Sequence, residues 1–546
     1  MKKIVIIIIV VVLAISVGAY LYLSVRKTKD FEPQIKAKLA QLVKDASNGL
    51  YKLDMEHIEI DITAASVRAK NVLLSVDSVR MLELEKRNLL GNDTYEIVLQ
   101  EINLQGLSAI ELLNGKDIDL AKLTLDSPQI KIIHKTRKVN LNDTANLYEK
   151  LSAHHQSYSI GNLLLNNIQL TLVNLDKNKT VSSLKNVSAS FTDIKIDSTT
   201  TDDSTRFLFA RDAVIYVKGF KQVTQEKRYH FNIDSIALRP QDGTMQFYDL
   251  TLKPEGSKEE FSNLIKFQQD RYDIKIKKGT VKNLNWFSLL ADEGLYGDEL
   301  TAEGTTINIY HDRSLPSGPP KSNNFPHQLL MNAAIPVSIK KILLRNTMVS
   351  YEEFNPKSMH TGVVSFSNVN GEISNVTNLK EEIAQNPFTV ITASADFLNE
   401  GKLDAVFRFD LANANAGNFS VDATLGNMEG AALNKITEGL ALIKIKSVTV
   451  DQLKMQIKGS NKSATGNVKF AYHDLEFDIL KNDEGELKKR GLFSFIANKL
   501  IVNKSNPGKK GGQPKEVAVT QQHDPHRSFF NLIWKTLQAG IIKTVK

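Results

Sequence analysis

The stretch Tyr95–His134 recurs without a gap as Tyr272–His311. Tyr95 falls on Tyr272, Ile97 on Ile274, Leu107 on Leu284, and Leu112–Leu113 on Leu289–Leu290. Ile130, Ile132 and His134 fall on Ile307, Ile309 and His311. With a small shift of register, Ser159–Ile160, Leu164–Leu165 and Asn167 return as Ser338–Ile339, Leu343–Leu344 and Asn346. Self-similarity of this kind predicts two tandem copies of a unit of about 180 residues, and it limits the fold before any local propensity is weighed.

Inside the copies the signal is strand after strand. Ile58, Ile60 and Ile62 alternate with polar neighbours, and so do Ile194–Ile196 and Ile274–Ile276. In Leu403–Leu411 the residues Leu403, Ala405, Phe407, Phe409 and Leu411 share one face, while Asp404, Val406, Arg408 and Asp410 share the other. Period-2 alternation marks strands with one dry face, which favours antiparallel pairing over a buried parallel sheet. Short helical patterns interrupt the strands around Asn142–His154, Ser257–Gln269, Leu379–Ala384 and Leu433–Ala441. Ser314–Pro326 reads as a Pro/Gly/Asn loop inside the second copy.

The two ends differ from this body. Ile4–Val25 carries no charge and is long enough to cross a bilayer as a helix. Ile4, Ile9, Leu13, Leu21 and Val25 are the anchor residues of that reading; a cleaved signal ending near Ala19 is its rival. Lysines and arginines flank both sides of the segment, so loop charge alone does not orient it. With this apolar stretch at the start, the expectation is a cytoplasmic N-terminus and an exported body. Phe31–Asn48 has helical spacing and suits a cap on the β body. Asn503–Arg527 reads as a flexible basic linker. Ser528–Lys546 reads as an amphipathic helix that docks on the body, or on a membrane or partner protein.

The net charge is +8, much of it near the chain ends beside apolar segments, which suits anionic lipid better than nucleic acid. There is no cysteine, so disulfides and thiolate metal sites are excluded. No Walker loop, nucleophile elbow, zinc-protease motif or EF-hand loop is present. The close histidine pairs, His154–His155 and His523/His526, are better read as solvated than as metal ligands. A non-enzymatic protein without metal or cofactor is expected.

From Leu53 to Leu480 the one-faced strands present more apolar surface than so little helix can cover. An open twisted sheet rarely exceeds about 10 strands without curling or splitting. The strands therefore either close on themselves as a sandwich or curl into a groove floored by apolar side chains, which lipid tails could cover. Phe191, Phe407, Phe409, Phe470 and Tyr472 are the candidate groove-lining residues.

The C-terminal third carries a more specific pattern: Leu433–Gly439, then KSVTVDQLKMQIKG over Lys446–Gly459, then GNVKFAYHDLEFDIL over Gly466–Leu480. With the leading apolar helix and the LTLDSP and IKI strands of Ile102–Ile132, this resembles the AsmA-like family of Gram-negative bacteria, on Tyr472, Asp474, Leu475, Phe477 and Leu480. The resemblance implies a glycine-led strand, a turn at Tyr472–Leu475 and a closing apolar strand. It also implies an inner-membrane protein facing the periplasm that supports outer-membrane assembly through phospholipid movement. The expected fold is mainly β: a transmembrane helix (1–29), a cap helix (30–50), two β repeats (51–227 and 228–410) and a C-terminal β module (411–502). The basic linker (503–527) and terminal helix (528–546) complete it. Together the β segments form a long curled antiparallel sheet, groove or sandwich. The rival function is a tether with a closed core that holds an envelope-assembly partner.

Overall fold

The computed structural model describes residues 32–61, 63–106, 117–137, 157–176, 179–200, 203, 205–224, 226–290, 294–321, 324–490, 502–509 and 511–546. The anchor residues Ile4, Ile9, Leu13, Leu21 and Val25, the repeat positions Leu107, Leu112 and Leu113, and the helical pattern at 142–154 lie outside them. Among the described residues no helix is long and apolar enough to cross a membrane. The chain is mainly β and divides into two units. The first comprises Met1–Phe220 with Ser235–Asp242, the second Lys221–Asp234 with Gly243–Lys546.

The first unit runs α1 (Glu32–Ala46), β1 (Tyr51–Asp54), β2 (His57–Asp61), β3 (Ser66–Val76), α2 (Ser78–Lys86), β4 (Asp93–Gln105), β5 (Asp117–Asp126), β6 (Gln129–His134), β7 (Ser157–Asn174), β8 (Lys179–Ile196) and β9 (Ala210–Val223). β10 (Tyr229–Arg239) follows. Strand β3 pairs antiparallel with β4, and β4 with both β5 and β6. Both β5 and β6 then pair parallel with β7, which pairs antiparallel with β8. The alternating apolar residues of these strands meet in one closed core. Ile102, Leu104, Leu120, Leu123 and Leu125 are fully buried there, and α1 adds Leu39 and Val43. A buried Leu or Ile side chain stabilises by about 1.5–3 kcal/mol, so this core outweighs the short helices.

The second unit continues with β11 (Thr244–Pro254), α3 (Lys258–Leu264), β12 (Asp270–Lys282), α4 (Trp286–Leu290), β13 (Leu295–Asp312), α5 (Pro326–Met331), β14 (Val337–Asn355), β15 (His360–Thr377), α6 (Lys380–Gln385), β16 (Phe388–Phe397), β17 (Gly401–Asp410), β18 (Phe419–Leu425), β19 (Met428–Glu429), α7 (Asn434–Ala441), β20 (Ile443–Gly459), β21 (Ser463–Asp483), β22 (Glu486–Lys489), β23 (Glu516–Gln522) and α8 (Phe529–Val545). Here β11, β12 and β13 are antiparallel neighbours, β13 and β14 are parallel, and β14 to β18 are antiparallel in sequence order. Strand β18 pairs with β20, β20 with β21, and β21 with β23.

The wholly antiparallel expectation is therefore corrected. Each unit is a mixed sheet with a parallel step at the same place, β5/β6 to β7 and β13 to β14. Parallel neighbours need a crossover that brings the chain back to the starting end. The Pro/Gly loop and α5, between β13 and β14, are that crossover in the second unit. Period-2 alternation cannot register this, because it reports faces and not strand direction.

Local details recur at the repeat spacing. His134 Nδ1 lies 2.7 Å from Asp93 Oδ1, and His311 Nδ1 lies 2.8 Å from Asp270 Oδ1. The backbone N–H of Tyr95 donates to the Tyr51 hydroxyl (3.2 Å), and that of Tyr272 to the Tyr229 hydroxyl (3.3 Å). Left-handed residues match too: Asn71 with Asp249, Ser127 with Gly304, Asn167 with Asn346, and Asn186 with Asn368. In the second unit these four break the alternation of β11, β13, β14 and β15 near one line. Apolar residues an odd number apart, such as Ala302 and Ile307, then face the same way. Around Asn346 and Asn368 the register also shifts, and bulges of this type bend a sheet and raise its twist.

Two further readings change. The expected turn at Tyr472–Leu475 is a kink inside the continuous strand β21, with Asp474 left-handed (φ 59°). The expected linker 503–527 contains β23, whose Val517 and Val519 are buried beside β21. Its lysine-rich composition hid a strand of seven residues.

Candidate functional site

The apolar face of the second unit is the candidate site. One row of directly paired residues crosses it through Leu252, Ile274, Ile307, Val349, Phe366 and Phe397. A second row crosses through Leu300, Ile342, Ile373, Ile391 and Phe407. Every one of these is only half-buried. Between the rows lies a line of small residues, Gly371, Ala393, Ala405 and Ala423, paired across β15 to β18. Small side chains between larger ones leave a furrow. Three inter-strand steps give it a length of about 14 Å.

Two packed clusters flank it on either side along the strands. At one, Phe325, Phe409, Phe419 and Phe529 meet ring to ring at 4.7–5.8 Å, with Val421, Ile457 and Leu532 beside them. At the other, α7 packs Ile436 against Leu398, Leu425, Val450, Phe470 and Tyr472. Asn355 Nδ2 and Ser358 Oγ pin α7 by donating to Gly439 O at 3.0 and 2.6 Å.

Helix α8 lies over β20, β21 and β23. Phe529, Leu532, Ile533, Thr536, Gly540 and Thr544 form its buried stripe, capped by Ser528. The helix approaches the sheet through two glycines: a Cβ at Gly540 would fall 2.5 Å from Val468 Cβ, and one at Gly466 would fall 2.8 Å from Thr536 Cγ2. Lys543 Nζ donates to Ala518 O on β23, while Ile541 and Val545 pack with Leu453 and Phe470 on the opposite side. Phe530, Trp534, Leu537 and Ile541 have the spacing of one helix side, so that stripe is turned toward the furrow. Phe530 is 62% and Trp534 38% exposed.

The predicted groove residues separate. Phe407 is half-buried beside Ala405 and reaches the furrow. Phe409 is buried under Phe529 and His327. Phe470 stacks on Tyr472 at 4.7 Å, and the Tyr472 hydroxyl donates to Asn503 O at 2.9 Å. Phe191 is sealed in the core of the first unit, stacked 6.5 Å from Phe207. As the chain is folded, Phe191, Phe409, Phe470 and Tyr472 are core residues with no surface left for a ligand. Alternation gave their face correctly, but which residues a helix would cover depends on α5, α7 and α8. The row Gly371–Ala393–Ala405–Ala423 was missed, because alanine and glycine carry little hydrophobic signal; its clue was the run of small residues in the frame of the Phe positions.

Polar groups gather at the furrow's rim. Arg527 donates to Gln268 Oε1 at 2.7 Å, and Lys321 N donates to Pro525 O at 2.8 Å, so the segment before α8 is tied to the crossover. Burial pushes the Tyr351 hydroxyl far above its ordinary value. The opposite, polar face of β16 to β23 has a depression of about 570 Å³, lined by Thr392, Asp404, Asp422, Lys454, Lys469 and Glu516. Its mixed charges sit on a largely solvated sheet face. Among the described residues no group of three His, Asp or Glu could hold a metal ion. His523 and His526 are engaged with the backbone oxygens of Asn461 and Gly318.

No family model and no curated protein matches this chain.

Proposed function

We propose that this chain is a non-enzymatic protein anchored in the bacterial inner membrane by its N-terminal segment. In this reading the body lies in the periplasm and supports outer-membrane biogenesis by carrying phospholipid along the apolar furrow. The β repeats 51–227 and 228–410 are tandem copies of one module. The observation that carries the lipid reading is the pair of half-buried apolar rows flanking Gly371, Ala393, Ala405 and Ala423. A furrow of about 14 Å takes on the order of a dozen methylenes, about 10 kcal/mol of transfer from water at ~0.8 kcal/mol each. An acyl chain in a bilayer is already dry, so moving it into the furrow is nearly balanced in free energy, as a carrier requires.

A photo-crosslinkable residue at Phe407 or Ala405 is expected to trap phospholipid in cells, whereas one at Phe409 or Phe470 traps protein. Trapping of protein alone at Phe407 would overturn the reading. The second reading, a tether for an envelope-assembly partner, is favoured by the sealed core of the first unit. In it the exposed Phe530, Trp534 and Ile542 of α8 form the partner contact. Absence of lipid by mass spectrometry from the chain purified with a stable protein partner would favour the tether.

A further inference from the structure

His327 sits on α5, a helix of six residues with Pro326 at its first turn. Only 3% of the residue is exposed, and neither ring nitrogen has a hydrogen-bond partner. A neutral imidazole always presents one N–H and one bare nitrogen. Whichever tautomer is present, both are unmet. The ring lies 5.2 Å from that of Phe409 and 6.3 Å from that of Phe325, in the cluster that flanks one side of the furrow. Such a site tolerates imidazole and rejects imidazolium, which would bury a charge with two N–H donors and no acceptor. A phenylalanine would fill the place without that liability, so histidine is a packing disadvantage that calls for a physical role.

Besides its buried side chains, helix α5 is held by Asn378, whose Nδ2 donates to Leu330 O at 3.4 Å, and by Gln328. The Gln328 side chain accepts from Phe325 N (3.1 Å) and donates to Ala414 O (2.8 Å) and Asn461 Oδ1 (3.1 Å). Leu329, on the outer side, is exposed. A single turn of helix therefore separates His327 from water. Lifting that turn would uncover Phe409.

We propose that α5 is a proton-released latch: protonation of His327 expels its ring, frees α5 from Phe409 and opens this side of the furrow. Burial favours the neutral form and holds the group down at about 4, from an ordinary 6.5; the Asp410 carboxylate opposes this without overcoming it. The sign follows from linkage. The group is depressed in the closed state, so closure is fully favoured above about 6.5 and weakens as the pH falls toward about 4, tenfold per pH unit in the closed-to-open ratio. The other titratable group packed on this cluster is His523, 5.2 Å from the Phe325 ring; its Nδ1 is engaged with Asn461 O and its Nε2 is buried without a partner. The latch is a property of α5 and stands whether or not lipid occupies the furrow.

Hydrogen exchange on the full-length chain in detergent tests it, read at the amides of Leu329 and Asn332, which bond to Phe325 O and Gln328 O. After correction for intrinsic exchange, their protection is expected to fall about 40-fold between pH 6.5 and 4.5. In His327→Phe it stays flat over that range. In Asp410→Asn the fall begins at the same pH and runs on to lower pH, because the lost carboxylate lowers only the closed-state value. An equal fall in His327→Phe, or none in the wild type, overturns the latch and leaves the furrow reading untouched. Should His327→Phe disturb the fold, seen as lost protection in β20 and β21, His327→Leu serves as the second flat-profile variant.

Discussion

Gly540→Ala offers a test of how α8 is seated. In an exposed helix, alanine for glycine gains about 1 kcal/mol, because glycine loses more backbone freedom on folding. Position 540 is buried against β21, where the new Cβ would lie 2.5 Å from Val468 Cβ. Ordinary contact begins at about 3.5 Å, so helix and strand would separate by about 1 Å or Val468 would leave its rotamer. Overpacking of this size costs about 1–3 kcal/mol. The two effects oppose each other, and the net expectation is a loss of up to about 2 kcal/mol. Val468→Gly removes the Cβ and both methyls that stand in the way and costs about 2.4 kcal/mol for three buried carbons. In that background Gly540→Ala keeps the propensity gain and fills the vacated space, so its effect should change sign to a gain of about 1 kcal/mol.

The measurement is a double-mutant cycle on denaturant unfolding, followed by Trp534 fluorescence in a Trp286→Phe background. A coupling of about 1–3 kcal/mol is the expectation, well above the ~0.5 kcal/mol typical of independent sites. If Gly540→Ala stabilises the wild type as much as it does Val468→Gly, then α8 does not dock through this contact. The furrow would then lack its wall.

Four other outcomes are expected. Phe529→Ala should cost about 3–5 kcal/mol in the same unfolding assay, because its ring is the shared neighbour of Phe325, Phe409 and Phe419. Tyr51→Phe should cost about 1 kcal/mol, because it strands the buried N–H of Tyr95, and Tyr229→Phe should cost less, because the N–H of Tyr272 that it strands is open to water; equal losses by calorimetry of the two variants would argue against this account. Ala405→Leu should abolish lipid trapping at Phe407 with little change in melting temperature, because it fills open furrow and not packed core. Glu32 is held down at about 2 by Lys36, by the N–H of Ile58 and by His57. A depressed carboxyl stabilises above its ordinary 4.5 and loses that contribution as the pH falls toward about 2, so proteolysis within α1 should rise over that window and Glu32→Gln should remove the pH dependence.

Much of the architecture was written in residue order. Alternation fixed which side of each strand is apolar, and the return of Tyr95–His134 as Tyr272–His311 anticipated matched details such as Asp93–His134 and Asp270–His311. Asn167 and Asn346, paired by sequence alone, proved to be left-handed kink residues. These features are local: a face is set by period 2, and a kink by residues that tolerate positive φ.

Tertiary structure alone decided the rest. Strand direction was invisible, because a parallel and an antiparallel neighbour bury the same alternate residues; only the course of the crossover distinguishes them. Equally hidden was which apolar side chains would be roofed. Phe407 and Phe409 stand on one face of the same strand, yet α5 and α8 bury the second and leave the first half-open. That difference comes from helices at Pro326–Met331 and Phe529–Val545, both remote from the two phenylalanines along the chain, and no window of neighbouring residues contains it.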